Sequence, residues 1–118
     1  MKRARGLLDF DWEVILKLGF VKVLSTEELV PDGMKGVEVN RKKILIANLK
    51  GKYYAIGNVC MHMGCLLSDG ELSGENVKCL CHGSIYSLKT GSIVAGPTKK
   101  PEPVFQVKVE DDKILVNV

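Results

Sequence analysis

The sequence predicts an all-β fold of small antiparallel sheets. Apolar residues come in short runs that alternate with polar ones, and each run is closed by Gly, Asn, Asp or Pro. These runs also recur at short, even intervals from Phe20 to the C-terminus, the spacing of a sandwich or barrel-like domain. At 118 residues the chain fits one domain, small enough to gain from a metal or disulfide staple.

The elements follow in order. Residues 1–8 form a basic arm. From Asp9 to Leu18, Phe10, Val14 and Leu18 with Trp12 and Ile15 suit a short amphipathic helix, Asp9 as N-cap and Gly19 past its end, although Val14-Ile15-Leu16 also suits a strand. Trp12 is expected to pack this arm onto the domain. Phe20-Val21-Lys22-Val23 alternates as a strand does, and Ser25-Thr26-Glu27-Glu28-Leu29 reads as a capped helical turn ended by Pro31-Asp32-Gly33. Gly36-Val37-Glu38-Val39 and Lys43-Ile44-Leu45-Ile46-Ala47-Asn48 flank a hairpin-like gap at Asn40-Arg41-Lys42. Lys50-Gly51-Lys52 turns into Tyr53-Tyr54-Ala55-Ile56, which leads to Cys60. Beyond Tyr86 come a turn at Lys89-Thr90-Gly91, a strand at Ser92-Ile93-Val94 and the segment Gly96-Pro97-Thr98-Lys99-Lys100-Pro101. Two strands, Val104 to Val109 and Lys113 to Val118, close the chain around Glu110-Asp111-Asp112.

Composition excludes several classes. The net charge is only +3 and basic residues lie scattered among acidic ones, so no nucleic-acid partner is expected. The start is basic like the head of a signal peptide, but Asp9, Asp11 and Glu13 interrupt the apolar stretch a signal needs. Nowhere do about 18 apolar residues run together, so no membrane anchor is expected and the protein is read as soluble.

Chemistry concentrates between Cys60 and Tyr86, which hold every cysteine and both histidines. Two half-sites stand out, Cys60-x-His62 and Cys79-x-x-His82, with Cys65 and Cys81 close to each. A structural zinc would use a tetrahedral Cys₂His₂ set and serve only to hold the fold. Disulfides alone would leave two histidines beside cysteines by coincidence. A c-type haem is excluded, because the run is Cys79-Leu80-Cys81-His82 and no Cys-x-x-Cys-His occurs. A [2Fe–2S] cluster with cysteines on one iron and histidines on the other fits the alternation of ligand types within each half-site.

The stretch resembles the cluster-binding region of the Rieske iron–sulfur proteins. Cys-x-His, a spacer of sixteen residues and Cys-x-x-His-Gly occur together, with the strand pattern on both sides from about Phe20 to Val118. The resemblance implies a Rieske-type fold. A cluster-binding subdomain, about residues 58–98, would be inserted in a β base domain; residues 19–118 would form a single domain and 1–18 an arm or short helix. It implies a [2Fe–2S] cluster with Cys60 and Cys79 on one iron and His62 and His82 on the other. Two ferric ions, two sulfides and two thiolates sum to zero charge, whereas four thiolates would leave an excess of negative charge, so an electron is accepted more readily. The expected potential is about −150 to +300 mV, against about −400 mV for plant-type ferredoxins.

Within that family the sequence is similar to the high-potential branch of cytochrome bc-type complexes. There an additional cysteine in each loop forms a disulfide, and Cys65 and Cys81 stand at those positions. Two hydroxyls that raise the potential correspond to Ser84 and Tyr86. Gly64 and Gly83 sit beside ligands, where a side chain would collide with the cluster or the opposite loop and where glycine is also free to take positive φ, and Gly96-Pro97 resembles the proline loop that shields the cluster. Histidines on the outer iron would lose protons more readily in the oxidised state, so the midpoint should fall at alkaline pH. Departures from the pattern are Leu80, where many relatives have proline, Met61 and Met63 around His62, and Ser87 in place of an aspartate common in oxygenase ferredoxins.

The implied function is a soluble, cytoplasmic one-electron carrier that meets redox partner proteins transiently, with Lys99 and Lys100 placed to steer an acidic partner. Such a centre has no open coordination position, so the chain is read as an electron-transfer protein and not an enzyme. The alternative is a small Rieske subunit of a larger oxidoreductase: quinol-oxidising, arsenite-oxidase-like or ring-hydroxylating. A Cys65–Cys81 disulfide would point to a thermophile or an oxidising compartment.

Overall fold

A computed structural model describes residues 19–60, 64–81, 83–96 and 100–118. The arm or helix expected over 1–18 lies outside the described residues, as do Met61, His62, Met63, His82, Pro97 and Lys99.

Eleven strands follow in chain order: β1 (Phe20–Ser25), β2 (Gly33–Val39), β3 (Lys42–Leu49), β4 (Lys52–Gly57), β5 (Glu71–Ser73), β6 (Asn76–Lys78), β7 (Ile85–Ser87), β8 (Ile93–Ala95), β9 (Val104–Phe105), β10 (Val107–Glu110) and β11 (Lys113–Asn117). Single 3-10 turns at Thr26–Glu28 and Leu67–Asp69 are the helical elements among the described residues. The fold is all-β and every pairing is antiparallel. Three sheets form, in the orders β1-β11-β10, β2-β3-β4-β9 and β5-β6-β7-β8. The third is inserted in the chain between β4 and β9.

Turn chemistry fixes the hairpins. Asn40-Arg41, Lys50-Gly51 and Asp111-Asp112 all have positive φ at both residues. That backbone twist suits a two-residue hairpin loop, which keeps the flanking strands in register. Each turn expected from three residues is therefore made by two. At the first 3-10 turn, the Glu28 carboxylate accepts the Ser25 backbone N–H at 2.7 Å, as the capped turn in the sequence suggests.

The long apolar run of β3 is explained by burial on both faces. Ile44 and Ile46 pack with Leu24, Leu29, Ala55, Ile114 and Val116 on the side of the first sheet. Leu45 and Ala47 face the other way and join Ile56, Leu67, Val77, Tyr86, Leu88, Cys60 and Cys79 in a second core. Alternation along one strand thus divides the molecule into two cores, and both cysteines outside the disulfide lie in the second.

Three details differ from the sequence reading. β2 begins at Gly33 rather than Gly36, because Gly33 to Val39 all pair with β3. The spacer between the half-sites carries β5 and β6, which with β7 are three-residue strands too short to show an alternating pattern. The strand read as Val104 to Val109 is broken at Gln106, since β9 pairs with β4 while β10 pairs with β11. The chain changes sheets there, and the Gln106 C=O accepts the Asn117 N–H at 2.9 Å.

Candidate metal centre

The two half-sites fold into loops with the same backbone scheme. In the first, the Cys60 N–H donates to the Cys65 C=O at 2.7 Å and the Gly64 N–H to the Cys60 C=O at 2.8 Å. In the second, the Cys79 N–H donates to the Ser84 C=O at 2.8 Å and the Gly83 N–H to the Cys79 C=O at 2.9 Å. Residues 60–65 and 79–84 are therefore equivalent, with a cysteine first, a glycine fifth, and Cys65 and Ser84 last. Gly64 and Gly83 have φ of +75° and +77°, a region that favours glycine. Among the described residues, no atom comes within 4 Å of a Cβ built on Gly64, and only the Lys78 side chain approaches one on Gly83. The requirement visible at both is conformational rather than avoidance of the opposite loop.

The loops are held together covalently. Cys65 and Cys81 form a disulfide with a Cα–Cα separation of 6.6 Å, joining the close of the first loop to the third residue of the second. The Sγ atoms of Cys65, Cys81 and Cys79 all lie within 4.8 Å of one another, so the bridge runs beside the Cys79 thiol. Because two of these sulfurs are bonded to each other, the three do not form a thiolate ligand set. Cys60 and Cys79 are buried and outside the disulfide. His62 and His82 lie outside the described residues, between neighbours whose backbones close each loop.

Two hydroxyls are enclosed with the cysteines. The Tyr86 hydroxyl is 3.7 Å from Cys60 Sγ in the second core. With the cysteine as a thiolate, the phenol is the donor. Ser84 is fully buried, and its Oγ has no hydrogen-bond partner among the described residues. A buried hydroxyl without a partner is costly, and a sulfur acceptor of a bound cluster would satisfy it. Gly96, with φ +109°, lets the end of β8 press onto Ser84; a Cβ there would collide with the Ser84 backbone. This puts the start of the Gly96-Pro97 loop against the second half-site, while Pro97 lies outside the described residues.

Sequence reasoning missed two polar residues near the first loop. Asn58 is buried: its Nδ2 donates to Ser68 Oγ at 3.0 Å, and its Oδ1 accepts the Ser68 N–H at 2.7 Å. The Leu67 N–H also donates to the Asn58 C=O at 2.7 Å, so Asn58 moors the second 3-10 turn behind Cys60. Its position just before Cys60, at the end of an apolar strand, was the available signal. Glu102 is the other, buried at 4% exposure between Pro101 and Pro103. Nothing in the local pattern marks it as internal.

Residues 19–115 match the Rieske [2Fe-2S] domain family. The chain belongs to that family. Its cofactor is a [2Fe–2S] cluster, and the relatives of this Rieske chain include the iron-sulfur subunit of a cytochrome complex and the ferredoxin component of a dioxygenase. The chain is 36% identical over 90 residues to the cytochrome b6-f complex iron-sulfur subunit of Chlorobaculum tepidum, covering 75% of this chain and 49% of that protein. It is 32% identical over 101 residues to the ferredoxin component of biphenyl 2,3-dioxygenase from Rhodococcus jostii, covering 86% of this chain and 94% of that protein. It thus spans about half of one relative and nearly all of the other. Among solved structures, the ferredoxin of carbazole 1,9a-dioxygenase from Nocardioides aromaticivorans is similar at a TM-score of 0.79 and 26% identity, over 82% of this chain and 95% of that one.

The residues present fit a Rieske cluster. Two buried cysteines occupy equivalent loop positions, a phenol stands beside one of them, and a buried serine hydroxyl lacks an acceptor among the described residues. A site evolved only for a tetrahedral zinc would have no use for the unpartnered donor.

Proposed function

We propose that this chain is a soluble one-electron carrier whose [2Fe–2S] cluster is held by Cys60 and Cys79 on one iron and by His62 and His82 on the other. The single observation that carries the proposal is the buried Ser84 hydroxyl, without a partner among the described residues, at the close of the second of two equivalent loops that each begin with a buried cysteine. When bound, the cluster supplies reversible one-electron chemistry at a potential raised by its histidine ligands. The chain's own residues do the rest. Tyr86 and Ser84 donate hydrogen bonds to sulfur and so favour the more negative, reduced state, while the Cys65–Cys81 bridge and the Gly96-Pro97 loop exclude water.

Residues 19–118 form a single domain in this reading, with about 58–98 as the cluster-binding subdomain and 1–18 as an appended arm. Leu80, 59% exposed at the tip of the second loop, gives an apolar contact for a transient partner. A similar solved ferredoxin, 26% identical at a TM-score of 0.79, is in a complex with the oxygenase of carbazole 1,9a-dioxygenase, and an oxygenase of this kind is the partner class we assign. The carrier works in the cytoplasm, and its disulfide suits a thermophile or a compartment less reducing than ordinary cytosol. No described helix is long and apolar enough to cross a membrane.

A second reading, the electron-transfer subunit of a quinol-oxidising complex, is favoured by the 36% identity to the cytochrome b6-f subunit, of which the matched region covers 49%. Iron and sulfide analysis with a redox titration tests the carrier. Two irons and two sulfides per chain and a single one-electron wave are expected; a colourless protein containing zinc overturns it. Reduction by a quinol analogue at a high midpoint would move the assignment to the second reading.

A further inference from the structure

Outside the metal centre, Glu102 has a buried carboxyl oxygen, Oε2, with no hydrogen-bond partner among the described residues. Its backbone is tied on both sides: its N–H donates to the Gly91 C=O at 2.8 Å, and the next carbonyl, of Pro103, accepts the Gly57 N–H at 2.9 Å. Its Oε1 lies against Gly57, where a Cβ would collide with it, so glycine at the end of β4 is what admits the carboxyl. Glu102 borders a cavity of about 380 Å³ lined also by Lys42, Lys43, Asn58, Val59, Pro103 and Phe105. The carboxyl is thus wedged where the base sheet passes into the first ligand loop.

The charged groups around it are few. β3 brings Lys42 and Lys43 to the cavity, with the Lys42 ammonium 6.0 Å from the centre of the Phe105 ring. Among the described residues, the end of β4 brings the uncharged Gly57, Asn58 and Val59, the turn whose Gly91 C=O accepts the Glu102 N–H carries Lys89, which pairs with Glu75 at 2.8 Å, and Glu102's own segment brings Lys100. Burial pushes the Glu102 carboxyl up to about 7. Both protonation states are then populated at neutral pH. Gly57 and Cys60 are three residues apart, about 10 Å at full extension. That length is the most that can separate the two Cα atoms, and for charges about 12 Å apart one added charge changes a proton affinity by about tenfold at an effective dielectric near 20.

We propose that Glu102 is a redox-linked proton site: as an electron arrives at the centre from the partner protein, a proton from solvent binds the Glu102 carboxylate, and the electron's departure releases it. In each such event the partner supplies the electron and solvent the proton, the O–H bond of glutamic acid forms, and no other bond changes; over the population, a tenfold change in affinity takes up at most about half a proton per electron. The site is separate from the ligands proposed above, and it rests on the carrier reading.

The test is the midpoint potential from pH 5 to 9, by voltammetry on the full-length protein and on Glu102→Gln. The wild type should show a fall centred between about pH 7 and 8, of about 59 mV for a tenfold change in affinity, besides any alkaline slope. In Glu102→Gln the neutral step should vanish while the visible spectrum stays unchanged. Identical neutral profiles in the two proteins overturn the proposal. Redox-difference infrared spectra of the wild type at pH 7 should show a protonated-carboxyl band growing on reduction; its absence overturns the proposal even where the variant does not fold. Iron content is read on the same samples: unloaded protein counts against the carrier reading, whereas loaded protein with a flat neutral limb counts against Glu102 alone.

Discussion

At the scale of single residues, the environment of each polar atom decides what it can contribute. Tyr86 is fully buried with its hydroxyl 3.7 Å from Cys60 Sγ, so its hydrogen bond acts without competition from water. A bond of this kind is worth about 1–1.5 kcal/mol. Only the part of that worth that differs between the two oxidation states moves the potential, so at 59 mV per tenfold change, or about 1.4 kcal/mol, Tyr86→Phe should lower the midpoint by up to about 60 mV with the cluster intact. Voltammetry beside an unchanged visible spectrum checks this, and an unmoved midpoint would remove Tyr86 from the donor role. Ser84 and Tyr86 could be singled out only through the family resemblance, as the residues standing where its high-potential branch has two hydroxyls. Glu102 could not, since a charged residue between two prolines is locally indistinguishable from a surface turn.

At the scale of elements, the two ligand loops depend on each other. Each closes through two backbone hydrogen bonds and a glycine with positive φ, yet among the described residues no regular strand pairing joins 60–65 to 79–84. The Cys65–Cys81 bridge provides the covalent link across a sequence separation of 16. A loop of that size corresponds to about 3 kcal/mol in the chain-entropy account. The double variant Cys65→Ser, Cys81→Ser should lose about that much in urea unfolding, and reductant should lower the wild type's stability but leave the variant's unchanged. A variant as stable as the wild type would mean that cluster and core alone hold the loops. The pairing was legible as a resemblance, whereas the shared backbone scheme was not. Equivalence between two stretches with different ligand spacing shows only in their hydrogen bonds.

For the whole molecule, the buried carboxyl sets a pH trend. The unfolded chain releases the Glu102 proton near the ordinary value of 4.5, whereas the folded protein holds it until about 7. Between those values the native state binds more protons than the unfolded state, so stability declines as pH rises. The loss is at most about 3 kcal/mol, since each tenfold difference in proton affinity between the folded and unfolded chains is worth about 1.4 kcal/mol. Calorimetry from pH 4 to 8 should show the wild type losing this component and Glu102→Gln lacking it, so the difference in stability between them changes steadily towards neutrality. A constant difference would mean that Glu102 ionises normally. The two cores share β3, whose Leu45 and Ala47 pack in one and whose Ile44 and Ile46 pack in the other.

The sequence by itself determined the all-β class, the turns and the half-sites that carry the chemistry. These rest on local physics: side-chain alternation, the backbone preferences of turn residues and the ligand character of cysteine and histidine. Only the tertiary structure decided that the chain changes sheets at Gln106, that three-residue strands pair beside the loops, and that a serine hydroxyl and one glutamate carboxyl oxygen are buried without partners among the described residues. Pairing and burial depend on residues distant in the chain. Their cost or benefit is fixed by what the rest of the fold brings to them.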